Sequence, residues 1–269
     1  METGFYFIVL LAAGAVSGFS SGLLGLGGCY LNVPVQYWVL TSTGFDPTIS
    51  TRIAFGTSLA IALLISMINT IEHHKRNEVF WEAAIPIGIA GIAGSLIGGT
   101  VAALLPGGIL RTLFAVVLLV AAVRMLIPMK ECRTATNTQG KAVFVATGLF
   151  LGIVSGLVGI AGGIIIVPIL VCLLRFPMHQ AAGTSSACII FTSAGGVVAY
   201  LLNGMMVSDL PPLSIGYINL LQWSAIAFTT IPFTLAGIHY AYRLPARKLS
   251  VVFAFLLIAI SVYMFGALP

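Results

Sequence analysis

Apolar positions fall into long blocks with little polar interruption, in two series of five. The first series covers about 4–25, 29–42, 50–70, 81–105 and 109–128; the second covers about 141–160, 163–174, 180–204, 215–242 and 248–267. Most blocks reach the ~20 apolar residues a helix needs to cross a hydrocarbon core of ~30 Å. None alternates apolar and polar positions as barrel strands do, so helices are the expected spanning elements. The second block of each series is short. It reads either as a complete tilted helix or as half of a re-entrant pair with the block before it. The expected fold is an all-α membrane protein with Gly-broken or re-entrant helices at mid-membrane.

Composition agrees. The chain is 59% hydrophobic and 7% charged, against roughly 25% charged in a soluble domain. The N-terminus opens with Glu2 rather than a basic cluster and reads as a spanning block, not a cleaved leader. The net charge of +5 does not indicate nucleic acid, because the basic residues sort by loop. Arg124, Lys130, Arg133 and Lys141 surround the stretch 130–140 and mark it as a cytoplasmic linker. Alternating outward from it leaves Arg52 and Arg111 outside and both termini external. The expected organisation is a first repeat at 1–129, the linker at 130–140 and a second repeat at 141–269, in a plasma membrane.

The two series are copies. GAVSGFSSGLLGLGGCYLNVP, Gly14 to Pro34, returns as GLFLGIVSGLVGIAGGIIIVP, Gly148 to Pro168, at an offset of 134. Gly56-Thr57-Ser58 returns as Gly183-Thr184-Ser185 at an offset of 127, and Gly98 and Pro106 return as Gly237 and Pro245 at 139. Matched loops carry opposite charge patterns: Lys75 and Arg76 stand against a counterpart with only Asp209. Matched loops on opposite faces are the mark of inverted repeats, which place a site where the halves meet.

Glycine at 14, 18 and 22, and at 148, 152 and 156, lies on one helical face, and close helix packing is its ordinary explanation. The clusters Gly25-Leu26-Gly27-Gly28 and Gly159-Ile160-Ala161-Gly162-Gly163 are denser than packing requires. We read them as breaks that free backbone N–H groups at the start of the next segment, an anion-binding arrangement. Thr57, Ser58, Thr184, Ser185 and Ser186 add hydroxyls, unless these bond back to their own helix. Ser20, Ser21 and Ser155 are positioned to join them. Arg52 and His179 each stand four residues before a triplet glycine and are expected to mark the path entrances. Asn32 and Gln36 follow the first break, where the second copy has Ile166 and Leu170, an asymmetry suited to tuning the substrate.

No helix centre carries Asp, Glu, Lys or Arg, which argues against a carboxylate proton relay or an intramembrane enzyme. Cys29, Cys132, Cys172 and Cys188 form no metal spacing, and Glu72-His73-His74 reads as an interfacial turn. No metal, cofactor or catalytic residue is expected.

Two glycine-rich stretches ending in Val-Pro, two Gly-Thr-Ser triplets and the Leu-Pro turns at 105–106 and 244–245 together resemble the TauE/SafE sulfite exporter family over nearly the whole chain. The resemblance implies a polytopic permease for sulfur-containing anions such as sulfite, sulfoacetate or related organosulfonates. It implies a substrate region at Gly25 to Gly28 with Thr57 and Ser58, and at Gly159 to Gly163 with Thr184 and Ser185. The chain departs from the pattern at Cys29, where the second copy has Gly163, and at Asn32, where an apolar residue is usual. A secondary exporter of a small sulfur-containing anion is the expected function, with an anion channel on the same halves as its alternative.

Overall fold

The computed structural model describes residues 2–25, 27–126, 141–172, 176, 178–207, 209–241 and 246–266. The expected linker, 130–140, and the Leu244-Pro245 turn lie outside the described residues. The described helices are α1 (Glu2–Leu24), α2 (Cys29–Ser42), α3 (Pro47–Lys75), α4 (Trp81–Leu104), α5 (Gly107–Leu126), α6 (Lys141–Val158), α7 (Gly163–Cys172), α8 (Met178–Gly204), α9 (Leu220–Ala241) and α10 (Ala246–Gly266). Among them α1, α3, α4, α5, α8 and α9 are long and apolar enough to cross a membrane. Large apolar side chains such as Ile89, Val120, Phe228 and Phe255 point outward. The chain is an all-α, multi-pass membrane protein.

Local chemistry sets the ends of these helices. Asp46 accepts the backbone N–H groups of Thr48 and Ile49 at 2.8 and 3.1 Å, and Pro47 takes the first helical position of α3. Both expected breaks are present. Gly25, Gly27 and Gly28 have φ of 69°, 80° and 72°, and Gly159 and Gly162 have 67° and 76°. That left-handed backbone suits glycine because it has no Cβ. At the first break the chain doubles back. Tyr6 of α1 meets Trp38 of α2 at 5.7 Å between ring centroids, and Ser17 lies against Gly28. At about 21 Å, α2 is too short to cross alone, and it runs back along α1.

One expectation needs correcting. The ninth block was expected to be helical from 215, but Ser214–Ile215 (β1) and Ile218–Asn219 (β2) form a small antiparallel hairpin. Gly216 takes a left-handed turn with φ 56°, and the Asn219 side chain accepts the Gln222 N–H at 2.9 Å, so the helix starts after it.

The main packing is crossed. The first helix of the first series, α1, lies on α9, and α6 lies on α4; α3 packs on α8 and α5 on α10. Glycine makes the crossings close. A Cβ on Gly18 would stand 2.5 Å from the Thr230 carbonyl oxygen of α9, and one on Gly156 would stand 2.7 Å from the Gly99 amide nitrogen of α4. Gly14 and Gly22 meet α9, and Gly148 and Gly152 meet α4, in the same way. Packing therefore accounts for these six glycines. Thr230 adds a hydrogen bond to the Gly14 carbonyl at 3.1 Å.

Gly18→Ala and Gly152→Ala are each expected to destabilise the protein by about 1–3 kcal/mol through overpacking. Gly4→Ala, with nothing within 4 Å of its Cβ, should leave thermal unfolding in detergent unchanged.

Candidate functional site

The two breaks meet. A Cβ on Gly27 would lie 3.4 Å from the Ala161 Cβ, with Ala62 of α3 and Ile189 of α8 beside it. Gly27 and Ala161 are matched positions of the duplicated stretch. Gly25 faces the Ala182 carbonyl oxygen and Ser186 Oγ of α8, each 3.6 Å from its would-be Cβ, while Gly159 sits against Phe55 of α3. Phe55 and Ala182 are matched too. Each break is thus seated on the long helix of the other series, and Gly25, Gly27, Gly28 and residues 159–163 are all buried.

Ser21 holds the first break in shape by accepting the Gly27 N–H at 2.9 Å. Its counterpart Ser155 is buried, with no hydrogen-bond partner for Oγ among the described residues. Ser20 donates to the Ser17 carbonyl at 3.0 Å and accepts the Tyr30 hydroxyl. The Cys29 thiol donates to the Ser58 carbonyl at 3.4 Å. Gly28 is the N-cap of α2 and supplies no side-chain cap, so the first turn of α2 presents backbone N–H groups toward the break. Gly162 precedes α7 in the same way, and Gly163 is its first residue.

The triplets do something that spacing did not show. Thr57 Oγ1 accepts the Asn219 N–H at 3.0 Å, and Thr184 Oγ1 accepts the Phe80 N–H at 3.0 Å. Phe80 and Asn219 are matched residues, each immediately preceding the fourth helix of the other series. The preceding glycines repeat the match. A Cβ on Gly56 would stand 2.5 Å from the Tyr217 carbonyl oxygen, and one on Gly183 would stand 2.6 Å from that of Glu78. Each Gly-Thr pair clamps the start of a helix from the opposite series. Gly56 packs beside Tyr200 of α8, and Gly183 beside His73 of α3, so α3 and α8 run antiparallel. Gly56 and His73 are roughly 25 Å apart along α3 at 1.5 Å per residue. Thr57 and Thr184 therefore do not converge on one small ligand. Ser185 and Ser186 bond back to the Ala182 carbonyl at 2.8 and 3.0 Å. Ser58 instead accepts from Gln36 Nε2 at 3.1 Å.

Gly27, Gly28, Ser21, Asn32, Gln36 and Ser58 therefore belong to one buried neighbourhood. Arg52 lies on α3 near the Thr57 clamp, and its guanidinium donates to Tyr217 Oη and the Leu105 carbonyl, both at 3.0 Å. Both acceptors are neutral. His179 stands in the first turn of α8, and its side chain lies outside the described residues. Arg111, placed on the outer side by the sequence reading, is in α5, 4% exposed, donating to Tyr37 Oη and to the Gly107 carbonyl. No group of His, Cys, Asp and Glu able to hold a metal is found among the described residues.

The family model for the sulfite exporter TauE/SafE matches residues 10–264. The chain belongs to this family of membrane transporters. It is 28% identical over 262 residues to a probable membrane transporter protein of Haemophilus influenzae, covering 97% of this chain and 99% of the relative. A probable membrane transporter protein of Methanocaldococcus jannaschii is 28% identical over 257 residues, 95% of this chain and 94% of the relative. One from Xylella fastidiosa (strain 9a5c) is 32% identical over 184 residues, 66% and 67% respectively. No solved structure matches.

Thr57→Val and Thr184→Val are each expected to lower stability by about 1–3 kcal/mol, because a buried N–H loses its acceptor. Thr57→Ser and Thr184→Ser keep the oxygen and should unfold near the native temperature in the same detergent. Ser185→Ala should have little effect.

Proposed function

We propose that the chain is a secondary exporter of a small sulfur-containing anion, of the sulfite, sulfoacetate or organosulfonate class. Two inverted repeats, 1–129 and 141–269, flank a binding site at the meeting of the breaks. The observation that carries this reading is the contact of Gly27 with Ala161, beside the uncapped start of α2. Free N–H donors and the positive end of a helix dipole favour an anion there. Neutral donors also let it leave again. The antiparallel run of α3 and α8 and the matched Gly-Thr clamps support the inverted relation. Membership of the sulfite exporter family supports the substrate class.

In this reading the protein lies in the plasma membrane with residues 130–140 in the cytoplasm and both termini outside. Arg52, held by neutral acceptors, then draws anions at the outer face. An inside-negative potential of 100 mV favours efflux of one negative charge by ~2.3 kcal/mol, so export needs no coupled ion. The two series rock about the central contact to alternate access.

Purified protein in liposomes should show saturable, potential-driven sulfite or sulfoacetate flux with counterflow exchange. Gly27→Val should cut that flux by about tenfold or more, since a non-glycine residue in left-handed backbone costs of order 1–3 kcal/mol; Gly4→Val should not. Flux that follows a cation, or an unaltered rate in Gly27→Val, would contradict the site. Currents far above transporter turnover, without counterflow, would indicate a channel.

A further inference from the structure

Asn32 and Gln36 lie one turn apart on the face of α2 that begins at Gly28, and both are fully buried. Neither Asn32 Nδ2 nor Oδ1 has a hydrogen-bond partner among the described residues, and neither does Gln36 Oε1. The face they share is bounded by two residues of α3: Ile65 lies against Gly28, and Ser58 accepts from Gln36. The matched positions of the second series, Ile166 and Leu170, are buried and apolar. A buried amide without a partner is a standing cost in free energy, and apolar residues of similar size would avoid it. The second series makes that apolar choice.

We propose that Asn32 and Gln36 are the specificity-determining pair of the site, and that they select a monoanion carrying its own hydrogen-bond donor. The inference rests on reading the central break as an anion site. The first turn of α2 offers N–H donors only, which any oxyanion satisfies. An amide differs, because it presents a donor NH2 at one end and an acceptor oxygen at the other whichever way its O and N are assigned. A fully deprotonated oxyanion satisfies the NH2 end and leaves the carbonyl end unpaired. A hydrogensulfite ion, or a sulfonate bearing a hydroxyl, places oxygens on the donors of α2 and donates its O–H to Asn32 Oδ1 or Gln36 Oε1. Because the pair exists in only one series, the ligand takes one orientation, with its donor toward α2.

Hydroxymethanesulfonate and methanesulfonate share a charge and a head group and differ by one hydroxyl. Their binding to the purified full-length protein is compared by calorimetry, with sulfite as a third probe. A site built around an O–H rejects the analogue that lacks it. The native protein is therefore expected to prefer hydroxymethanesulfonate by roughly 10–100-fold, the factor that one unpaired buried acceptor costs. The variant Asn32→Ile/Gln36→Leu, which installs the residues of the second series, is expected to bind the two probes alike. Without ligand, Asn32→Ile alone should unfold at the native temperature or above, because it removes an amide with no partner, whereas Gln36→Leu also removes the bond to Ser58. Equal native affinity for both sulfonates would overturn the inference and leave the anion site standing. Loss of ligand-free stability in Asn32→Ile would also overturn it, showing that amide to be structural. No binding of any of the three anions would overturn the anion site itself.

Discussion

Gly14, Gly18 and Gly22 bring α1 onto the backbone of α9, and Gly148, Gly152 and Gly156 bring α6 onto the backbone of α4. In lipid there is no hydrophobic drive between helices, so association depends on close van der Waals approach and small residues at the contact. Here the contact exchanges partners: the helix preceding each break is fixed to the opposite series. The position of each break is therefore set by the other half of the molecule, and the two arrive at the same place, with Gly27 beside Ala161. Separating these crossings would move the breaks apart.

The Gly-Thr pairs extend the same exchange to the helix starts. Gly56 and Thr57 hold residues 217–219, and Gly183 and Thr184 hold residues 78–80, with glycine touching a carbonyl and threonine accepting an N–H on both sides. The two series also differ beside the central contact. Ser58 is tied to Gln36, whereas Ser185 and Ser186 bond back to their own helix. Asn32 stands where the other series has Ile166. The two series match in their Gly-Thr contacts and differ beside the place where a ligand would be read.

Much of this was legible in the sequence because glycine has few uses inside a membrane helix. A small residue every fourth position marks packing, and a denser cluster marks a break; Gly18 and Gly27 fell on the expected sides of that line. Residues at matched positions of the two series make matched contacts. The partners of Thr57 and Thr184 were not legible. A hydroxyl near a helix start looks the same in sequence whether it faces a ligand, its own carbonyls or another helix, and the Asn219 amide that Thr57 accepts is 162 residues away. The hairpin at 214–219 was hidden because its apolar residues continue the hydrophobic block, and only Gly216 and Asn219 carry the signals of a turn and a cap. The partner of Arg111 was not legible either, because nothing in the sequence paired it with Tyr37.

The central claim is that an anion sits where the breaks meet. Selenite has the shape and charge of sulfite with a heavier central atom, so crystals grown with it and measured at the selenium edge locate the ion directly. The account expects one dominant anomalous peak within hydrogen-bond reach of the first turn of α2, between Gly27 and Ala161. A peak confined to the Arg52 end or the protein surface, with none between the breaks, would contradict it.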